Sequence, residues 1–347
     1  MTIRSLQEGY DGVPVAVTGA SGFVGRHLVV RLLAAGAQIS VLVRDVARLD
    51  PALVARCRVV QGDLTDTVAM GKVLSGAAYV FHCAADVATW GKKHDYHHAN
   101  VQGVRVLLRA LLQGSPHVLQ RLVHLSTLDV YGFPALPASE DATLVRVPFH
   151  YGESKRRGDL LVQAFCRRHG ISYTVLRPGN IIGPGSPFVS RIGAALRYGP
   201  MLAIDGGRHH AGLLDVKNLL DVLLWAAVSP QAHGQVYNVR DPWEVHWEGF
   251  LRDFRQGSGL KGSVLDLDYR TAMRLASVLA APYRWLSVRR EPLLHPLIVE
   301  IFGRTCGHAI AKLQDHGAPL GCMDYHRSMR ESLNWIATQP GFKTKPV

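Results

Sequence analysis

The sequence predicts an α/β fold: a doubly wound parallel sheet followed by a smaller, mostly helical C-terminal region. Three observations predict it. Over the first 180 residues short apolar runs alternate with longer helical patterns. A glycine triplet falls directly after the first run and opens the first helical pattern. After Arg177 the chain turns to loops and then to helical patterns with a single strand. The runs 14–18, 39–43, 58–61, 79–82, 122–125 and 173–176 are too apolar to alternate and too short for helices, as expected of strands covered on both faces. Helical patterns at 22–35, 67–75, 95–113 and 151–169 separate them, which implies right-handed crossovers and parallel pairing. In such a sheet the ligand crevice lies at the carboxyl ends of the strands. Beyond the Pro/Gly-rich stretch 178–187, helical patterns fall near 188–198, 216–228, 244–256, 268–281 and 324–337, with a strand at Gln235–Val239.

The chain has 347 residues, 48% hydrophobic, 19% charged and 8% aromatic, an ordinary globular composition. No apolar run reaches the roughly 18 residues of a membrane-spanning helix; residues 219–228 come nearest, and Asp221 interrupts them. Glu8 and Asp11, with no apolar stretch before Val13, argue against a signal peptide. Five scattered cysteines without metal-ligand spacing read as reduced thiols of a cytoplasmic protein. Neither His94, His97 and His98 nor His209 and His210 match a zinc spacing with a third ligand, so no metal is expected. A net charge of +12 suits an anionic cofactor, an acidic membrane surface or nucleic acid. No basic cluster is interleaved with aromatics, which argues against nucleic acid.

Gly19-Ala-Ser21-Gly22-Phe23-Val24-Gly25 sits between the first strand and the first helix. Glycines there permit a tight turn and close approach of backbone amides to a pyrophosphate, and the helix dipole favours its charge. Gly19, Ser21, Gly22, Phe23, Val24 and Gly25 are therefore the candidate contacts of a Rossmann-type, dinucleotide-binding domain. The spacing is Gly-x-x-Gly-x-x-Gly. In that it resembles the extended short-chain dehydrogenase/reductase superfamily, and further matches follow in order over residues 14–185. Gly62-Asp63-Leu64 resembles the adenine-contacting segment. His82-Cys-Ala84-Ala85 resembles the stretch lining the pyrophosphate and ribose. Asn100-Val-Gln-Gly103, Leu125-Ser-Thr127-Leu-Asp-Val-Tyr-Gly132, Tyr151-Gly-Glu-Ser-Lys155 and Arg177-Pro178-Gly179-Asn180 complete the set. The resemblance implies that Asp63, Leu64, Ala84, Ala85, Asn100, Pro178 and Gly179 belong to the cofactor site. It also implies residues 1–180 as the NADP-binding domain with the catalytic residues, and 181–347 as a smaller substrate-binding region not strictly separable in sequence. Within the superfamily, Ala85-Asp-Val-Ala-Thr-Trp-Gly91, residues 291–300 and residues 329–335 resemble the 3β-hydroxysteroid dehydrogenase-like branch.

Tyr151 and Lys155 are four apart on a helical pattern and so share one face. A free phenol titrates near 10, and a nearby ammonium would bring it towards neutrality, where it can exchange a proton with substrate. The resemblance gives Lys155 a second task, holding the nicotinamide ribose, and makes Thr127 the hydroxyl that holds the reacting oxygen, ahead of its neighbour Ser126. Sugar-nucleotide dehydratases of the superfamily follow this threonine with Asp-Glu. Here Leu128-Asp129 follows, so the proton-donating acid is absent and dehydration is disfavoured. An NAD enzyme usually ends its second strand with an acid for the ribose 2′-hydroxyl. This chain has Arg44 there and Arg48 one turn on, which suits a 2′-phosphate and predicts NADP(H) over NAD(H).

These readings converge on an NADP(H)-dependent oxidoreductase interconverting a secondary alcohol and a ketone. The branch resemblance implies a steroid-like, isoprenoid or long-chain keto substrate, with Trp90 and Phe149 as possible pocket walls. A sugar-nucleotide epimerase or reductase is the alternative, with Arg191, Arg197 and Arg208 for the substrate diphosphate. A non-catalytic nucleotide-sensing or RNA-associated protein is the alternative from another class. The superfamily often dimerises through helices at 95–113 and 151–169, so a homodimer is expected. Residues 270–304 mix leucines and Trp285 with six arginines against Glu291 and Glu300. Pro282, Pro292 and Pro296 should break the segment into short pieces. It reads either as a plain helical subdomain or as a lid that rests on an anionic membrane surface.

Overall fold

The computed structural model describes residues 9–114, 118–340 and 342; Glu8 lies outside them. The first half runs β1 (Pro14–Thr18), α1 (Phe23–Ala34), β2 (Gln38–Val43), β3 (Arg58–Gln61), α2 (Thr67–Leu74), β4 (Tyr79–His82), α3 (Gly103–Gln113), β5 (Arg121–Leu125), α4 (His150–His169) and β6 (Tyr173–Pro178). The helical pattern at 95–113 is one continuous rod, Lys93–His97 leading through a π-helical turn, His98–Gln102, into α3. The second half runs β7 (Asn180–Ile182), α5 (Pro187–Tyr198), β8 (Met201–Ile204), β9 (Leu213–Asp215), α6 (Val216–Val228), β10 (Gln235–Val239), α7 (Trp247–Ser258), β11 (Val264–Leu267), α8 (Tyr269–Trp285), α9 (Pro296–Gly303) and α10 (Tyr325–Ala337).

Seven parallel strands form the central sheet in the order β10-β6-β5-β4-β1-β2-β3. Every residue of β4, β5 and β6 is buried, because both faces are covered. Val15, Val17, Phe81 and Val123 pack with α1 and α6 on one face, and Ala16, Val80 and Leu122 pack with α2, α3 and α4 on the other. From β1 the chain winds outward to β3, then returns to β4 on β1's other side. This reversal opens a crevice above the carboxyl ends of β1 and β4.

The C-terminal region is helical as expected, with its own core of Trp247, Phe250, Phe254 and Phe302. Three differences from the sequence reading stand out. Gln235–Val239, placed by sequence in the helical region, is the edge strand of the central sheet, beside β6. The pairs β7–β9 and β8–β11 were not anticipated, because strands of three or four residues are too short to show alternation. Pro282 does not break its segment: it lies inside α8, which runs on to Trp285. A proline removes one hydrogen bond, and near a helix end the neighbouring turns carry on. Pro296 opens α9, where its missing N–H costs nothing. No helix among the described residues is long and apolar enough to cross a membrane.

Candidate active site

The glycine turn ends β1 at the crevice. Gly19 has φ +81°, and a Cβ there would stand 2.7 Å from the backbone nitrogen of Ala84. A Cβ on Gly25 would stand 2.1 Å from the Gly19 oxygen. The first glycine thus brings the turn against Ala84 and Ala85, and the third lets α1 start under it. Gly22 caps α1 without a side-chain hydrogen bond, so the first-turn N–H groups of Phe23, Val24 and Gly25 are left for an external acceptor. Ser21 is half-buried beside them. This cradle fits a dinucleotide pyrophosphate.

At the end of β2, Arg44 and Arg48 are exposed, and neither guanidinium has a partner among the described residues. Two acids lie nearby, and both serve as caps: Asp45 accepts from the Ala47 N–H at 3.0 Å and Asp50 from the Ala52 N–H at 2.9 Å. Asp63 accepts from the N–H and hydroxyl of Thr65 and pairs with His98 Nε2 at 2.9 Å; burial opposes its charge, but these bonds hold its carboxyl below the ordinary range. Leu64 packs on the core so closely that a Cβ on Gly103 would come within 2.8 Å of it, which accounts for a glycine in the Asn-Val-x-Gly motif. Asn100, in the π-helical turn, is buried. Its side chain accepts from the Asp86 N–H and donates to the Asp86 carbonyl and Ser154 hydroxyl, so it fixes the segment after β4 from behind. Pro178 and Gly179 close the end of β6, with the Gly179 N–H donated to Val239.

Thr127, Tyr151 and Asp129 meet at the end of β5. Ser126 turns away and donates to the buried Asp159 at 2.7 Å, which leaves Thr127 as the hydroxyl of the crevice. The Thr127 hydroxyl accepts from the Asp129 backbone N–H at 3.2 Å, which caps the short helical turn Leu128–Tyr131. Lys155 is on the Tyr151 face of α4, as the spacing requires, and is buried. Its Nζ donates to the Leu125 carbonyl at 2.6 Å, and burial lowers its pKa to about 8. The expected lowering of the phenol by this ammonium is not what the structure shows. Tyr151 is pushed well above the ordinary phenol value, first by burial and then by the charge of Asp129. The ammonium is engaged at Leu125, while the phenol faces carboxylates. The form held in the site is therefore the neutral phenol, a proton donor.

Sequence reasoning passed over Asp129, having noted only that the position next to Thr127 lacks an acid. Its carboxyl is lifted to about 6 by burial. The signal was its place two residues after Thr127, where the turn Leu128–Tyr131 begins and its backbone N–H donates to the Thr127 hydroxyl. Tyr96 was missed as well; its ring centroid lies 6.4 Å from that of Tyr151, and its hydroxyl donates to the Ala88 carbonyl. It came from a stretch whose histidines and charges read as solvated.

Two of the three stretches that suggested the steroid-dehydrogenase branch, 85–91 and 291–300, meet at the mouth of the crevice. Trp90 donates its indole N–H to the Val288 carbonyl at 3.0 Å and packs against Tyr283 and His295. Glu291 accepts from Thr89 and Arg191 and pairs with His295 Nε2 at 2.7 Å. Phe149 caps the start of α4 and meets Phe133 edge-on.

Fold and site together define an enzyme that uses a nicotinamide dinucleotide on a CH–OH/C=O group. The sequence profile of the NAD dependent epimerase/dehydratase family matches residues 15–239, and the chain belongs to that family, within the extended short-chain dehydrogenases/reductases. Among its relatives is a farnesyl-dihydroquinoline-oxide ketoreductase of Stigmatella aurantiaca, 29% identical over 83% of this chain and 86% of that one. Human 3 beta-hydroxysteroid dehydrogenase type 7 is 27% identical over 94% of this chain and 96% of that one. The fold is shared with UDP-glucuronic acid 4-epimerase from Bacillus cereus, solved with NAD, at 18% identity and a TM-score of 0.74 over 94% of this chain and 96% of that one. It is shared equally with UDP-glucose 4-epimerase from Thermotoga maritima, solved with UDP-glucose, at 17% identity and a TM-score of 0.73 over 93% and 98%.

Proposed function

We propose that this protein is an NADPH-dependent ketoreductase of a lipophilic ketone, working in the cytoplasm, with Tyr151 as the proton donor. The observation that carries the reading is the arrangement at the end of β5: Ser126 is taken by Asp159, Lys155 donates to the Leu125 carbonyl, and Tyr151 stands one turn before Lys155 on α4. The dinucleotide, when bound, supplies the hydride. Thr127 holds the carbonyl oxygen, Tyr151 gives that oxygen its proton, and Lys155 lies behind them on α4, placed to hold the ribose. Arg44 and Arg48 support a 2′-phosphate, since they are unpartnered and Asp45 is occupied as a cap. Residues 1–180 hold the nucleotide and the catalytic groups, and residues 181–347 supply the substrate side, apart from β10 and α6, which pack with the central sheet.

The lipophilic substrate is supported by the ketoreductase of Stigmatella, whose name specifies a farnesyl group, and by the mouth lined with Trp90 and Tyr283. Against a sugar diphosphate, the three arginines that would bind it all have partners within the protein, Arg197 lying 5.5 Å over the Phe342 ring. Arg191 pairs with Glu291 at 2.8 Å and Arg208 with Asp205 at 3.2 Å. A homodimer through the rod 93–113 and α4 belongs to the same reading, and sedimentation velocity checks it. The experiment for the function is NADPH oxidation across ketosteroids, 2-alkyl-3-ketoacids, prenylated cyclic ketones and UDP-sugars. Oxidation with a lipophilic ketone and none with UDP-sugars is the expected result. UDP-sugar epimerisation without net cofactor use would contradict it.

A further inference from the structure

Helix α8 carries its large apolar side chains outward. The residues it buries are the small Ala272, Ala276 and Ala280, one turn apart. A second face, spaced 275, 278, 279, 282, 285 and 286, is apolar and open to water. Val278 is 69% exposed, Trp285 85% and Leu286 64%, and Leu293 in the following loop is fully exposed. Soluble surfaces scatter such residues singly; gathered on one helix face and the loop after it, they mark a surface that something covers.

The flanking charge says what covers it. Arg270, Arg274, Arg284, Arg289 and Arg290 are all exposed, and no acid occurs from 269 to 290. The first carboxylate beyond them, Glu291, is engaged by Arg191, Thr89 and His295. A second copy docked through this face about a two-fold axis would set five arginines against five, with no acid to relieve them. An anionic bilayer meets both features: arginines at the phosphates, Trp285 and the leucines among the acyl chains.

We infer that α8 and the loop 286–293 form a docking surface for anionic lipid, which turns the mouth of the active site towards the membrane. The position supports this. The Val288 carbonyl accepts the Trp90 indole N–H, Tyr283 packs on the same indole, and the Arg284 guanidinium lies 5.9 Å above it. Trp90 belongs to the segment that Tyr96, neighbour of Tyr151, holds through Ala88. A ketone dissolved in the bilayer would therefore reach the crevice without crossing water; this last step rests on the lipophilic-substrate reading above, while the docking itself does not.

Vesicle flotation of the full chain tests it, with phosphatidylglycerol mixed into phosphatidylcholine in one arm and phosphatidylcholine alone in the other. The protein should float with the anionic vesicles only, and less as salt rises. Binding should drop at least about tenfold both for Trp285→Ser with Leu286→Ser and for Arg274→Glu with Arg289→Glu and Arg290→Glu. These residues are exposed, so unfolding midpoints and turnover of a ketone presented in cyclodextrin should stay near wild type. No flotation at low salt, equal flotation of the variants, or flotation with phosphatidylcholine alone would overturn the proposal. So would a solution dimer, or capture of polyglutamate, that the variants abolish while lipid binding is absent. Flotation as expected with no ketone reduced would uphold the docking surface and sink the functional reading instead.

Discussion

A carboxylate that faces a phenol keeps the phenol's proton on, and Asp129 does this to Tyr151 through the space around Thr127. Burial raises the Asp129 carboxyl to about 6. Above that pH its charge holds Tyr151 as a donor; below it the charge is gone and the phenol is less strongly held. The pH profile of kcat for reduction should therefore bend near pH 6, and Asp129→Asn, which removes the charge at nearly constant size, should remove the bend. A bend that survives in the variant would assign it to another group. At the other end of the crevice Arg44→Asp should weaken NADPH by about 10- to 150-fold, the equivalent of roughly 1.5–3 kcal/mol for a charged hydrogen bond, and leave NADH nearly unchanged. Fluorescence titration with both cofactors measures this, and equal losses would take Arg44 out of the phosphate site.

The turn between β1 and α1 depends on missing side chains more than on present ones. Gly25→Ala would set a Cβ 2.1 Å from the Gly19 oxygen, backbone against backbone, where nothing can rotate away. It should cost about 1–3 kcal/mol, seen as a lower unfolding midpoint, and weaken either dinucleotide. A variant with wild-type stability and affinity would show that the turn tolerates displacement. This element was legible in the sequence because its chemistry is local: strand, glycines and helix are contiguous. The strands of the sheet were legible for a related reason, since burial on both faces writes an unbroken apolar run. β10 was found as a strand but placed in the wrong layer, because pairing with β6 joins residues some 60 apart in sequence and leaves no local mark. Tyr151, Lys155 and Thr127 were singled out through motif spacing, and the structure places them near the carboxyl end of β5. Asp129 and Tyr96 were not, since their importance comes from what the fold brings beside them.

Asp241 links the layers of the whole molecule and couples its stability to pH. It is fully buried after β10, accepting from the Asp215 N–H at the start of α6 and from Asn218 at 2.7 Å. Burial raises its carboxyl from 3.8 to about 7. A carboxyl raised on folding stabilises fully below its unfolded value, and that contribution is lost as pH rises through the folded one. Buried histidines such as His82, lowered by burial to about 3, work in the opposite sense, so the single variant is the clean probe. Relative to wild type, Asp241→Asn should gain stability between pH 5 and pH 8, by on the order of 2 kcal/mol in thermal or urea unfolding. A difference that shrinks with pH would contradict the raised carboxyl. The central claim concerns where hydride and proton go, and isotope transfer tests it most directly. With NADPH carrying deuterium at both positions of the nicotinamide C4, a lipophilic ketone should return as an alcohol carrying deuterium on the carbinol carbon, one label per NADPH consumed. Tyr151→Phe should bind cofactor normally and slow that product at least about 100-fold. Unlabelled product, or near-wild-type transfer by Tyr151→Phe, would contradict the account.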